Sequence, residues 1–412
     1  MRRMLLMFAL TSAAATPALA VEGNVQVGTF GGLDHLFVII MENHSSGEIV
    51  GNPNAPFITG YAASANYASN YWAVGHPSLT NYLEIVGGSN FGLTDDNWPV
   101  WVNGGCKDNN PAGSGCGGAY TPISGAGLDF GFPATVDACA APWSNQISPG
   151  AAVCIHGPDL VPNDWALYDY SQQQMYTPKT IAHQLVETGR QWKTYQQSLP
   201  APSGTVDGVN YADGTYSNLS DPSAWQIGGA NVSVQKLYAV KHNPFVYFKD
   251  IEEGTNPLLS LGQTVDFDGP HGLFADLARG ITVPSFSFIV PDQCHDMHGA
   301  GGGSAQCADD THAIQVGDAA VRRIVEAIHA SPVWLRFFRT AIVVVWDEND
   351  YAVGPNKVSL IVDTNYGKHG VTSSVSYDHY SLTRTIEAAF ELPCLNHACD
   401  KTSKVMNDLF SR

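Results

Sequence analysis

Five continuous apolar runs constrain the fold of this chain more than any other feature of its sequence. The runs cover residues 35–43, 244–251, 283–292, 341–350 and 358–365. Their apolar residues are consecutive rather than alternating, which is typical of strands buried on both faces, as in parallel sheets. Helical patterns lie between them, at residues 177–197, 317–338 and 381–393. This alternation predicts an α/β fold in which helices cover both faces of a mostly parallel sheet.

The first twenty residues have the pattern of an export signal. Arg2 and Arg3 precede a short apolar stretch, and Ala18-Leu19-Ala20 has the small-residue spacing of a cleavage site. We therefore predict a signal peptide at residues 1–20 and a secreted or periplasmic protein after cleavage near Ala20. The apolar stretch is shorter than the roughly 20 residues that span a bilayer, and no later run reaches that length, so we predict no transmembrane segment.

Two segments interrupt the regular alternation. Residues from about 89 to 176 are rich in Gly, Pro, Asn and Trp, and residues from about 201 to 232 are rich in Gly, Ser and Asp. Long loops in compact folds are often functional. We predict that both segments are loop-rich insertions in one domain formed by residues 21–412, and that the larger one forms a cap over the site.

The charge balance excludes one class of partner. The chain has 20 basic and 38 acidic residues, which gives a formal net charge of −18. Such a surface repels the phosphates of nucleic acids, so we predict no nucleic-acid partner. It also repels anionic substrates unless a bound cation reverses the local field.

The eight cysteines indicate disulfides rather than a structural zinc site. An even number in an exported chain favours disulfide pairing, and none of the spacings is that of paired zinc ligands. We predict four pairs that are local in sequence: Cys106 with Cys116, Cys139 with Cys154, Cys294 with Cys307, and Cys394 with Cys399.

Acidic side chains end four of the five apolar runs. They are Glu42 (followed by Asn43), Asp250, Asp292 and the pair Asp347-Glu348. In open α/β sheets, ligands bind at the carboxyl edge of the strands. Two bare carboxylates ~4 Å apart at an effective dielectric near 20 repel by roughly 4 kcal/mol. A divalent cation would remove this repulsion, and carboxylate, amide and imidazole ligands suit a hard to borderline metal.

The segment GHPSLTNYLEIVGG, residues 75–88, places polar side chains before an apolar helical pattern. We predict a helix that begins near Thr80 and Asn81, whose free N–H groups and positive dipole end suit a phosphate or sulfate. Ser78 then lies just before the helix, where a metal-activated hydroxyl would attack a tetrahedral ester. The alternative interpretation is that Ser78 only caps the helix.

Seven blocks of the sequence resemble, in order, those of the bacterial phosphoesterase family. The blocks are HLFVIIMENHS, GHPSLTNYLEIVGGS, TIAHQLVETGRQWKTYQQSLP, KHNPFVYFKDI, PDQCHDMHG, VVVWDEND and DHYSLTRTIEAAFELP, and they span residues 35–393. That family contains secreted acid phosphatases and phospholipase C enzymes within the alkaline phosphatase superfamily. The resemblance implies an alkaline-phosphatase-like three-layer sandwich around a mostly parallel central sheet.

The resemblance also implies a metal site and a nucleophile. Glu42 and Asn43 match the metal-binding Glu-Asn pair of the family. Asp347 and Glu348 match its acidic pair, although some relatives have Asp-Asp there. The register selects Ser78 as the nucleophile, which also contacts the metal, and Asn81 as a phosphate-oxygen donor. Thr80 occupies a position where relatives often have Pro, and it is the next candidate for the nucleophile.

Four further residues lie in matching blocks. The resemblance implies that His242 and His298 are catalytic, as groups that protonate the leaving alcohol. It implies that Asp296 and His379 bind phosphate or a second metal ion. The cofactor would be a divalent cation, for which zinc, calcium, magnesium and manganese all remain open.

These observations predict a metal-dependent phosphoric ester hydrolase. Its substrate is a phosphate ester, and a phospholipid is included among the candidates. We favour a broad-specificity acid phosphatase with a phosphoserine intermediate, because the chain is little longer than the matching blocks. The alternatives are a phospholipase C-type phosphodiesterase and a non-catalytic secreted binding protein on the same fold. A sulfuric ester hydrolase is disfavoured, because Ser78 is not followed by the x-Pro-x-Arg pattern of sulfatases.

Overall fold

The computed structural model describes the parts of the chain that form one α/β fold. These are residues 28–91, 168–169, 174–175, 179–199, 237–248, 251, 256–299, 307, 309–335, 337–350 and 355–411. Most of the predicted insertion at 89–176, all of that at 201–232, the signal peptide and Asp250 lie outside these residues. The predicted domain division therefore stays a prediction.

Nine strands form the central sheet. In chain order they are β1 (His35–Met41), β2 (Asn66–Trp72), β5 (Trp192–Gln196), β6 (Thr264–Val265), β7 (Phe286–Val290), β8 (Thr340–Trp346), β9 (Lys357–Thr364), β10 (Thr372–Ser373) and β11 (Tyr377–Asp378). A separate two-stranded pair consists of β3 (Tyr168–Asp169) and β4 (Gln174–Met175). The spatial order is β10-β2-β9-β8-β1-β7-β5-β6, and β11 also pairs with β2.

Eight α-helices accompany the sheet within the described residues. They are α1 (Ser46–Ile49), α2 (Pro56–Ser64), α3 (Ser78–Gly87), α4 (Ile181–Glu187), α5 (Leu273–Arg279), α6 (Asp310–Ala330), α7 (Pro332–Leu335) and α8 (His379–Phe390). Helices α3, α4 and α8 pack together as one group, and helices α2, α5, α6 and α7 pack together as a second group. The fold is the predicted α/β class, with helical layers around a large, mostly parallel sheet.

The middle of the sheet is parallel and largely buried. β8, β1, β7, β5 and β6 are consecutive neighbours, and every pairing among them is parallel. All seven residues of β8 and the last six of β1 are buried, which explains their continuous apolar sequences. The carboxyl ends of these strands therefore lie along one edge of the sheet.

Two strand predictions are wrong. β9 pairs antiparallel with both β8 and β2, whereas its apolar run predicted a parallel strand. An apolar run records burial on both faces, and burial does not depend on strand direction. The described residues of the run 244–251 do not form a strand; Pro244–Tyr247 is a short 3₁₀ helix, with Pro244 at its first turn. Its apolar side chains are buried in the core all the same.

Two helix predictions are partly wrong. The pattern at 177–197 contains the helix α4 and then the strand β5, whose buried side chains pair with β7. The helix predicted near Thr80 begins two residues earlier, at Ser78. Pro77 occupies the N-cap position and its carbonyl accepts from the Thr80 hydroxyl at 2.8 Å, so the first turn includes Ser78.

Two of the predicted disulfides are present. Cys294 pairs with Cys307, and Cys394 pairs with Cys399. The other two predicted pairs lie outside the described residues. In the part of the chain that the structure describes, no helix is both long and apolar enough to cross a bilayer.

Glu84 makes the stability of this fold depend on pH. The residue is buried in α3, where its Oε1 accepts from the Tyr380 hydroxyl at 3.2 Å. Burial raises the pKa of Glu84 well above its ordinary value, so the folded state releases this proton at a higher pH than the unfolded chain does. The unfolded carboxyl ionises above about pH 4, so the free energy of unfolding falls as the pH rises.

We expect Glu84→Gln to remove this pH dependence. The variant should have a free energy of unfolding about 1–3 kcal/mol higher than that of the wild type at pH 8, and equal to it at pH 4. Urea denaturation at both pH values measures the difference. The exposed Glu326→Gln serves as the control, and a Glu84→Gln protein less stable than wild type at pH 8 would contradict the assignment.

Candidate functional site

The candidate active site lies at the carboxyl edge of the sheet, where the neighbouring strands β8, β1 and β7 end. Glu42 follows β1, and Asp347 and Glu348 follow β8; all three are buried. The Asp347 N–H donates to the carbonyl of Met41 at 2.9 Å, and the Glu42 N–H donates to the carbonyl of Asp296 at 2.8 Å. These main-chain bonds fix the acidic side chains relative to one another.

Ser78 lies among these acids. Its hydroxyl is buried and donates to Glu42 Oε2 at 3.1 Å, and Oγ lies 3.4 Å from Glu348 Oε1. The Lys241 Nζ donates to the same Oγ at 3.4 Å. Two carboxylates are therefore in reach of the hydroxyl proton, and one ammonium group can stabilise the oxygen that remains.

Glu348 connects the nucleophile to the loop before α3. Its Oε2 lies 2.7 Å from His76 Nδ1 and accepts from Asn81 Nδ2 at 3.1 Å. The Asn81 Oδ1 accepts from the main-chain N–H groups of Val74 and Gly75 at 3.2 and 3.0 Å. Asn81 therefore braces the loop in this structure, and its role as a phosphate-oxygen donor stays a prediction.

Asp347 is buried, and no side chain of the described residues donates a hydrogen bond to either of its carboxylate oxygens. Burial, together with the charges of Glu42 and Glu348, raises its pKa. His379 contacts the Asp347 main chain instead: its Nε2 donates to the carbonyl at 2.6 Å, and its Nδ1 accepts from the Tyr71 hydroxyl at 2.9 Å. Burial lowers the pKa of His379 to about 4, so the ring is neutral. Its role in phosphate or second-metal binding stays a prediction.

His242 lies between two buried acids. Its Nε2 is 3.0 Å from Glu42 Oε1, and its Nδ1 is 3.5 Å from Asp296 Oδ2. Burial opposes the charged ring, but Glu42 and Asp296 outweigh it and raise the pKa of His242 to about 9. Burial likewise opposes the Glu42 charge, yet His242 and Lys241 hold the pKa of Glu42 below its ordinary value. The Tyr82 ring stacks on His242 at 5.1 Å.

The remaining predicted residues lie close by. His298 is half-buried, with its ring centroid 6.0 Å from that of His242, and its N–H donates to Asp296 Oδ1 at 2.7 Å. Asn43 directly follows Glu42 and is half-buried. The predicted site residues therefore lie near one edge of the sheet, and their roles stay predictions.

Lys241 and His76 also lie at the site, and neither was predicted to belong to it. Lys241 directly precedes His242 in KHNPF. Because the chain is so acidic, a basic residue beside a candidate histidine could have identified Lys241 as a site residue. His76 stood in the polar segment before Ser78, but only the fold shows that it faces Glu348.

The donor atoms of this site fit a buried cation. Oxygen atoms of Glu42 and Asp296 and a ring nitrogen of His242 lie within 4.8 Å of one another. Asp347 adds two carboxylate oxygens that accept no hydrogen bond from a side chain of the described residues. Carboxylates gathered in a buried place are costly unless a positive charge compensates them. The protein therefore contains a candidate buried metal site.

Comparisons with known proteins agree with this chemistry. Residues 52–393 match the Phosphoesterase family. The chain is 23% identical over 367 residues to a phosphatidylinositol-3-phosphatase of Mycobacterium tuberculosis, covering 88% of this chain and 79% of that protein. It is 22% identical over 408 residues to a probable acid phosphatase of Kluyveromyces lactis, covering 93% of this chain and 64% of that protein.

Solved structures with low sequence identity are also similar. An alkaline phosphatase superfamily protein from Vibrio parahaemolyticus has a TM-score of 0.44 at 12% identity, covering 92% of this chain and 71% of that one. The lipoteichoic acid synthase LtaP from Listeria monocytogenes has a TM-score of 0.44 at 8% identity, covering 94% and 79%.

Proposed function

Because this chain belongs to the Phosphoesterase family and is a phosphoric ester hydrolase, we propose that it is an exported, metal-dependent acid phosphatase of broad specificity that forms a phosphoserine intermediate. One observation carries the proposal. The buried Ser78 hydroxyl lies between Glu42 and Glu348 at the sheet edge where α/β folds bind ligands.

Ser78 begins the reaction. Its Oγ attacks phosphorus in line, so that the Oγ–P bond forms while the bond from phosphorus to the ester oxygen breaks. The hydroxyl proton passes to Glu42 or Glu348, the two carboxylates within 3.4 Å. The Lys241 ammonium and the positive dipole end of α3 favour the negative charge on the phosphoryl oxygens.

A histidine completes the first step. The leaving alcohol takes a proton from His242 or His298, which lie beside each other next to Asp296. His242 suits this role because its raised pKa keeps it protonated at neutral pH. Water then attacks phosphorus, the same histidine accepts a proton from that water, and Ser78 leaves with its proton restored.

The residues that would hold a divalent cation are Glu42, Asn43, Ser78, Asp347 and Glu348. When bound, a zinc, calcium, magnesium or manganese ion supplies positive charge that favours the deprotonated serine and the developing phosphoryl charge. Glu42, Asp296 and a neutral His242 would form the donor set for a second ion, and with that ion bound His298 rather than His242 would protonate the leaving alcohol.

The names of two relatives support the specificity that we propose. Both curated relatives are named phosphatases, which favours monoester over diester hydrolysis. A phospholipase C-type phosphodiesterase remains the second candidate, because the family contains such enzymes. A non-catalytic binding protein is disfavoured, because the nucleophile and the acidic pair are all present.

Parallel assays of one metal-loaded preparation test the proposal. We expect faster hydrolysis of p-nitrophenyl phosphate than of p-nitrophenyl phosphorylcholine, little hydrolysis of p-nitrophenyl sulfate, and loss of activity after dialysis against EDTA that added metal restores. Faster hydrolysis of the diester would establish the phospholipase C type instead. Undiminished activity after EDTA would contradict the metal site, and phosphate binding without hydrolysis would indicate a binding protein.

A further inference from the structure

The amino edge of the sheet, opposite the active site, carries the most exposed apolar side chains of the described residues. Four of them are exposed by more than half: Phe337 entirely, Ile281 by 93%, Leu335 by 71% and Leu258 by 56%. Elsewhere, the exposed large apolar residues of the described chain are Val74 and Val375, each at only 37%. The exposed large apolar side chains of the described residues are therefore concentrated at the amino edge of the sheet.

These side chains come from separate loops that the sheet brings together. Leu335, Phe337 and Phe338 precede β8, and Ile281 precedes β7. The carbonyl of Leu258 accepts from the indole N–H of Trp192, the first residue of β5. Because β8, β1, β7 and β5 are consecutive parallel neighbours, the three loops lie along about 14 Å of one edge.

Direct contacts join these loops across β1. His35, the first residue of β1, packs edge-on against Phe338 with ring centroids 5.2 Å apart. Its Nδ1 also lies 2.9 Å from the carbonyl of Pro284, in the segment that leads into β7. We call Leu258, Ile281, Leu335, Phe337 and Phe338 the apolar edge.

Arginines flank the apolar edge, although the chain as a whole is strongly acidic. The sequence reads LRFFR from Leu335 to Arg339, and Arg279 lies two residues before Ile281. Arg279 is exposed, and Arg339 is half-buried with its guanidinium over the Tyr366 ring. Asp34 is an exposed acid at this edge, and its carboxylate accepts from the Arg339 N–H. Protruding aromatic and aliphatic side chains beside arginines are the composition of surfaces that lie on anionic membranes.

We propose that the apolar edge inserts into the interfacial region of an anionic lipid bilayer. A fully exposed phenylalanine that projects from a loop suits insertion among acyl chains, where it needs no matching pocket, better than it suits a flat protein interface. β8 separates this edge from Asp347 by seven residues, or about 23 Å. The active site of the bound protein consequently faces away from the bilayer and takes phosphate esters from the aqueous side.

Vesicle flotation tests the proposal on the protein as the cell exports it, with its N-terminus identified by mass spectrometry. We expect the wild type to float with vesicles of phosphatidylcholine and phosphatidylglycerol, and a smaller fraction to float with vesicles of phosphatidylcholine alone. The bound fraction should also fall as NaCl rises from 0.05 to 0.5 M, because salt screens charges beyond about a Debye length. The double variant Ile281→Ser/Phe337→Ser should lose at least about fivefold in bound fraction, a loss expected when two buried apolar contacts are removed. Val375→Ser, on the β10–β11 side, should float as the wild type does.

Three outcomes would overturn the proposal. The first is that the wild type does not float with anionic vesicles. The second is that the double variant floats as well as the wild type does. The third is a wild-type dimer that the double variant converts to monomer without any flotation, which would make the edge a protein interface. The orientation has its own test: bound enzyme should hydrolyse p-nitrophenyl phosphate as fast as free enzyme, and a tenfold loss would place the active site against the bilayer.

Discussion

Replacing Ser78 by alanine is expected to lower kcat for p-nitrophenyl phosphate by at least about 10³-fold at saturating metal, as for other enzymes that lose a nucleophile. The hydroxyl oxygen is the atom that Glu42, Glu348 and Lys241 surround, and alanine leaves these three groups without the oxygen that they hold. The fold should persist, because the substitution keeps a helix-forming residue in the first turn of α3.

Thr80→Ala is the matched control for the nucleophile. The Thr80 hydroxyl lies two residues further along α3 and donates to the carbonyl of Pro77, so its loss should cost about 1 kcal/mol of stability and change kcat by only a few-fold. Acid quenching during turnover of ³²P-labelled substrate should trap phosphate on the wild type and on Thr80→Ala, but not on Ser78→Ala. Full activity of Ser78→Ala, or a trapped phosphothreonine, would transfer the role to Thr80.

Asp347→Asn is expected to have opposite effects on activity and on the stability of the metal-free protein. The carboxylate is buried beside Glu42 and Glu348, and no side chain of the described residues donates a hydrogen bond to either of its oxygens. Removing its charge should raise the free energy of unfolding of the EDTA-treated protein by about 1–3 kcal/mol. The same change should weaken metal binding and lower kcat/KM by about 100-fold or more.

Asp318→Asn is the matched control, because the Asp318 carboxylate is also buried but both of its oxygens accept hydrogen bonds. Its two oxygens accept from the main-chain N–H groups of Phe57 and Ile58 at the start of α2, at 3.1 and 2.8 Å. The substitution should therefore lower the free energy of unfolding by about 1 kcal/mol and leave activity unchanged. Denaturation with and without metal, together with metal titration, measures both variants. An Asp347→Asn protein that is destabilised without metal would contradict the assignment.

The sequence predicted the part of the fold that burial determines. Continuous apolar runs identified β1, β7 and β8 because these strands are covered on both faces. β2 was not predicted, since its sequence NYASNYW is only partly buried and mixes polar with aromatic residues. The direction of β9 depends on how the chain reaches the strand, which its own residues do not record.

The site was predicted as a set of positions, but its internal contacts were not. Acidic residues after β1 and β8 meet because parallel neighbours end together, and this follows from the pattern alone. Pairwise contacts, such as that of His76 with Glu348, require the path of the loop before α3. The orientation of His379 toward a main-chain carbonyl likewise depends on how α8 packs against α3 and β11.

The Cys294–Cys307 disulfide closes the loop that supplies Asp296 and His298 to the site. Without this bond, Asp296 and His298 would be positioned by hydrogen bonds and packing alone, so the arrangement around His242 should be less well fixed. The covalent link therefore makes the positions of these two side chains depend on an oxidising environment, in which disulfides persist.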